Sequence, residues 1–99
     1  MTNMKAILLL DERHVVAPDA FVELVVWRVE NPPVRGRGHD FKYRLAFVVM
    51  GECVIRYDNE SGKGDHRHVR EKEFPYGFSS PARLLEDFWR EVGEWRKSR

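Results

Sequence analysis

His66 and His68 stand two residues apart in the stretch YDNESGKGDHRHV, residues 57–69, among Asp58, Lys63, Asp65 and Arg67. No other stretch of the chain concentrates so much acid, base and charge. Histidine is the side chain whose ordinary pKa lies near neutrality, so a pair can divide general-base and general-acid work. On RNA, one ring would take the proton of a ribose 2′-hydroxyl and the other would protonate the departing 5′-oxygen. In an extended segment the two rings project to the same side, within about 7 Å, a spacing that admits one phosphate. Asp65, Arg67 and Val69 project to the other. Lys63 and Arg67 are the candidate phosphate clamp, because ammonium and guanidinium groups stabilise the charge of an in-line attack. Asp58 is the candidate orienter of a histidine. Arg44, Arg56 and Tyr76 are candidates to line the path of the RNA.

Plainer readings stand beside these. Two exposed histidines on a polar hairpin need no function. The SGKG stretch lacks the GxxxxGK[ST] spacing of a nucleotide-binding loop. A His-x-His strand is also a common pair of zinc ligands, with Asp58 or Asp65 to add a carboxylate. The remaining donors His14, His39 and Cys53 lie far off in sequence, so neither a metal nor a cofactor is expected. A non-catalytic RNA- or protein-binding module is the second functional reading, and a metal-dependent phosphodiesterase the third.

The elements that must position these groups can be read in outline. Residues 5–12 are a short apolar run, a strand or a short helix. Pro18-Asp19 marks a turn. FVELVVWRVE, 21–30, reads as a long strand apolar on both faces. NPPVRGRGHD, 31–40, reads as a loop. YRLAFVVM and CVIRYD flank Gly51-Glu52, a two-residue hairpin signal. Along the second arm Cys53, Ile55 and Tyr57 share one face, and Val54, Arg56 and Asp58 the other. DHRHV begins a further strand, and FPYGF, 74–78, reads as irregular. Ser80 is a candidate helix cap with Pro81 in the first turn. Leu84, Leu85, Phe88, Trp89, Val92 and Trp95 then form one apolar stripe at helical period. Gly93 weakens the final turn, with WRKSR trailing off. The expected fold is α+β, a mostly antiparallel sheet of about five strands with one C-terminal amphipathic helix packed on it.

The chain has 99 residues, enough for one domain, 1–99, with one core. Seventeen basic and 16 acidic residues leave a formal charge of +1, so no global field draws it to nucleic acid or membrane. Basic residues do gather mid-chain, from Arg35 and Arg37 through Lys42, Arg44, Arg56, Lys63, Arg67, Arg70 and Lys72. Cys53 alone excludes an internal disulfide and reads as a buried small hydrophobe. The N-terminus has neither a secretion signal nor a membrane span, which points to the cytoplasm.

From YDNESGKGDHRH through EKEFPYGFSSPARLLEDFWREV, residues 57–92, the sequence resembles the TumE type of small bacterial toxin–antitoxin component. The motifs are Tyr57, Asp58, Asn59, Gly62, Lys63, Gly64, Asp65, His66, Arg67 and His68, then Pro75, Tyr76 and Phe78. Leu84, Leu85, Asp87, Phe88, Trp89 and Val92 follow. VELVVWRV and KYRLAFV upstream are also similar. The resemblance implies a toxin role, with a helix-turn-helix antitoxin encoded next door as partner. It does not imply a particular reaction; an endoribonuclease acting on RNA is the expectation by class. Trp89 and Trp95 are candidates for an antitoxin interface or a homodimer.

Overall fold

The computed structural model describes residues 6–29, 39–59 and 64–98. Among them six strands and one helix follow in order: β1 (Ala6–Ala17), β2 (Ala20–Val29), β3 (Phe41–Val49), β4 (Glu52–Asp58), β5 (His66–Val69), β6 (Lys72–Pro75) and α1 (Pro81–Lys97). Each strand pairs antiparallel with its neighbour in the chain, so the sheet is a plain meander, β1-β2-β3-β4-β5-β6.

Alternation of side chains assigns each face its role. Val22, Leu24 and Val26 of β2 stand opposite Phe47, Leu45 and Tyr43 of β3, which in turn meet Ile55 and Tyr57 of β4. All are buried, and Leu84, Phe88 and Val92 of α1 complete the same cluster. That face is the core. Ser80 caps the helix, its Oγ accepting from the Arg83 N–H at 3.1 Å. The expected stripe is divided: Leu84, Phe88 and Val92 go inside, Trp95 meets Phe47 edge-on at 5.4 Å, and Trp89 stays 37 % exposed. Among the described residues no helix is long and apolar enough to cross a membrane.

Several local expectations shift. The first element is a strand and runs on through His14 and Val15 to Ala17. The β3–β4 turn falls at Met50-Gly51, not Gly51-Glu52, because both turn residues have positive φ, 50° and 79°. Such a turn matches the twist of the strands it joins. KEFP, expected to run into irregular chain, forms the sixth strand across an Arg70-Glu71 turn. The helix continues past Gly93 to Lys97. Finally, Phe47 faces Ile55 while Val48 faces Cys53, leaving Val54 as an extra residue. This bulge turns Cys53 to the face opposite Ile55 and Tyr57. Most of the 31–40 loop, residues 31–38, lies outside the described residues.

Candidate active site

On the face away from the helix, the register of β3, β4, β5 and β6 stacks polar side chains side by side. Arg44 lies across from Asp58, Asp58 from His66, Arg56 from His68, and His68 from Glu73. Residues directly opposite on an antiparallel pair are close enough for side chains to touch. The strands therefore aim Arg56, Asp58, His66 and His68 at one place. The two imidazole centroids are 6.3 Å apart.

His66 is held by a residue that spacing alone did not single out. Its Nδ1 lies 2.8 Å from Oε1 of Glu73, a diagonal neighbour on β6. A carboxylate has no proton to give, so Nδ1–H is the donor and Nε2 carries the lone pair. Nε2 is buried and lacks a hydrogen-bond partner among the described residues. The missing signal for Glu73 was the β5–β6 hairpin: once Arg70-Glu71 is a turn, the residue facing the histidines follows from counting.

His68 sits in a different environment. Its Nε2 is 3.3 Å from a terminal guanidinium nitrogen of Arg56 and 3.7 Å from Oδ1 of Asp58. The neutral ring accepts from Arg56; the protonated ring has the Asp58 carboxylate beside it. At 3.7 Å that contact is a charge pair, too long for a hydrogen bond. Arg56 Nε comes within 3.0 Å of Asp58 Oδ2, but its N–H is not aligned on any acceptor among the described residues. A small cleft beside His68 is lined by Cys53, Val54, Arg56 and Arg70. Burial pushes the Cys53 thiol up, which keeps it protonated and weakly nucleophilic.

Other sequence-level candidates are placed elsewhere. Arg67 points to the helix side, where its Nε donates to Oε1 of Glu91 at 2.9 Å and its guanidinium covers the Phe74 ring. It is a brace between sheet and helix, not a clamp beside the histidines. Tyr76 is likewise turned to the helix, its hydroxyl donating to Oδ2 of Asp87 at 2.6 Å. Arg44 keeps to the histidine face, half exposed and 4.0 Å from Glu23. Lys42 shares that face through its register, two residues before Arg44. Lys63, Arg35 and Arg37 lie outside the described residues. Among the described residues no group of three or more His, Cys, Asp or Glu is arranged to hold a metal ion.

The remaining internal histidine does a structural job. His39 Nδ1 accepts from the Phe41 N–H at 3.1 Å, and its Nε2–H donates to Oδ2 of Asp65 at 2.9 Å. The same oxygen accepts from the Tyr43 hydroxyl at 2.6 Å. Both ring nitrogens are thus occupied, which leaves His39 no lone pair for a substrate.

The fold, a six-stranded meander backed by one helix, with paired histidines on the face away from the helix, is that of a small α+β domain. A family model described as Toxin TumE matches residues 5–96, and the chain belongs to that family. A toxin role, with an antitoxin counterpart in general terms, follows from that membership. Comparisons with curated proteins and with solved structures gave no match.

Proposed function

We propose that this toxin is an endoribonuclease that cleaves RNA by metal-independent acid–base catalysis. The observation that supports it most is the unequal environment of the two histidines. His66 is fixed by Glu73 in the tautomer of a base, with an Nε2 that no described residue engages. His68 has a companion for each protonation state, Arg56 for the neutral ring and Asp58 for the charged one. A ring with that pair of neighbours can give up a proton and regain it without leaving either form stranded.

In the proposed reaction His66 Nε2 takes the proton of a ribose 2′-hydroxyl as that oxygen attacks the adjacent phosphorus. The 5′-oxygen leaves with a proton from His68, and a 2′,3′-cyclic phosphate remains. Arg56, with Arg70 at the cleft's other side and Arg44 beyond, meets the charge gathering on the phosphate. Lys63, carried over from its sequence position, is a further candidate for that charge. Nε2 of His66 faces inward in the resting arrangement, so side chains around it must give way to admit the hydroxyl. A buried acceptor without a donor is costly, and the substrate hydroxyl would relieve it.

The test is incubation of the purified chain with total RNA in EDTA, analysed for fragments ending in cyclic phosphate. His66→Ala and His68→Ala should each lower cleavage by about 10²–10⁴-fold, with far-UV dichroism unchanged. RNA retained on the protein without cleavage would favour a binding module instead. Cleavage abolished by EDTA would restore the metal reading of His66 and His68. Undiminished cleavage by the double variant would remove the histidines from the mechanism.

A further inference from the structure

The two edges of the sheet are built differently. β6 is four residues long and carries Lys72, Glu73 and Pro75, the usual means of discouraging another strand. β1 is 12 residues long, with Ile7, Leu8 and Leu9 each close to half exposed and Val15 at 77 %. An apolar edge of that length invites a further strand.

The order of residues along β1 says which strand. Apolar ends, Ile7–Leu10 and Val15–Ala17, flank the charged centre Asp11-Glu12-Arg13. Turned end for end, the strand keeps this pattern. A two-fold axis normal to the sheet leaves each side chain on its own face, so the axis must pass beside a single residue of each strand. Placed at Glu12, it sets Asp11 of each copy opposite Arg13 of the other, twice. Leu10 then meets His14, and beyond them the apolar ends Ile7–Leu9 and Val15–Ala17 run alongside each other. Asp11 and Arg13 both lie on the histidine face, Arg13 with its guanidinium 3.9 Å over the Phe21 ring. Between the irregularities at Leu9 and Val16, β1 pairs regularly with β2, so its outer edge from Leu10 to Val15 is straight enough to pair.

We propose that β1 is a self-recognition edge through which two copies of the chain join antiparallel about Glu12. The surface does not depend on the catalytic reading. Opposite charges directly across a strand pair are favourable and like charges unfavourable. Glu12 alone faces its own copy, and its carboxylate is already engaged by His14 of the same strand at 2.6 Å. The joined sheet would carry both helices on one face and both histidine clusters on the other.

Sedimentation equilibrium of the whole chain decides the matter. The unaltered protein should be a dimer. Asp11→Arg and Arg13→Asp should each weaken it by about tenfold or more, since each change turns both ion pairs into repulsions. The double exchange, Asp11→Arg with Arg13→Asp, should restore it. Glu12→Gln should tighten the dimer by relieving the one like-charged contact, which fixes the register. Asp11→Arg leaves the Arg13–Phe21 contact untouched, so a loss of pairing there is not a loss of fold; dichroism checks this. A monomeric unaltered chain, or a double exchange that fails to rescue, would overturn the proposal.

Discussion

At the scale of the residue, Glu73 gives the two histidines different surroundings. It reaches His66 and not His68, although His68 is the ring directly across from it. Glu73→Gln keeps an acceptor for the Nδ1–H but removes the negative charge that steadies the imidazolium formed during the reaction. RNA cleavage should then fall by roughly tenfold, and by more in Glu73→Ala, where the ring also loses its orientation. Thermal melting should stay the same in both, because Glu73 is half exposed at the sheet edge. A Gln variant as active as the original would return His66 to an ordinary surface histidine. Glu73 was illegible in the sequence because it lies in EKE, a stretch whose pairing depends on a turn at Arg70. That turn needs a positive φ, 55°, which arginine seldom adopts and sequence patterns do not announce.

At the scale of the element, helix α1 is fastened by carboxylates that reach back to the sheet. Glu91 accepts from the Tyr57 hydroxyl at 2.6 Å and from Arg67 Nε at 2.9 Å. Asp87 accepts from Tyr76 and from Arg83. Burial would push the Asp87 carboxyl up, but those donors outweigh it and hold the group below its usual range. Arg67→Ala should therefore destabilise the fold by about 1–3 kcal/mol, by leaving part-buried groups unpaired, while cleavage per folded molecule stays unchanged. Denaturant melts together with the RNA assay distinguish this brace from a phosphate clamp. The start and inner face of the helix were legible, since Ser80, Pro81 and the apolar period all agree, whereas its run past Gly93 was not. So was the common face of the histidines, which needs only alternation along a strand. The bulge at Val54 was not, because an inserted residue in one strand shows only against its neighbour. Alternation also placed Arg67 on the side opposite the histidines, which is where it meets Glu91; only the clamp role beside them does not fit that side.

At the scale of the molecule, the chain's three tyrosines share one arrangement. Tyr43, Tyr57 and Tyr76 each donate a hydroxyl hydrogen to a carboxylate, Asp65, Glu91 and Asp87, at 2.6 Å. Burial first, and then the adjacent negative charge, raises all three well above the ordinary phenol value. Groups raised in the folded state contribute stability that is whole below the unfolded value, near pH 10, and is lost progressively as pH rises from there toward the raised folded value. Ultraviolet titration should show no tyrosinate while the fold persists, and all three ionising together with the loss of dichroism. A phenol titrating near pH 10 in the folded protein would contradict this network.

Because every strand pairs with the one next to it in the chain, the groups at the centre of the site come from a single short stretch. Arg56, Asp58, His66, His68, Arg70 and Glu73 span residues 56–73, on three consecutive strands and the turn between the last two. The far half of the sheet and the helix furnish support and no member of that set. In terms of inheritance, the histidines of the proposed chemistry and their immediate partners are carried by one uninterrupted run of codons, with Arg44 of β3 outside it. A single exchange of that run between related scaffolds would transfer the histidine cluster together, leaving the proposed pairing edge in β1 and the helix to diverge on their own schedules.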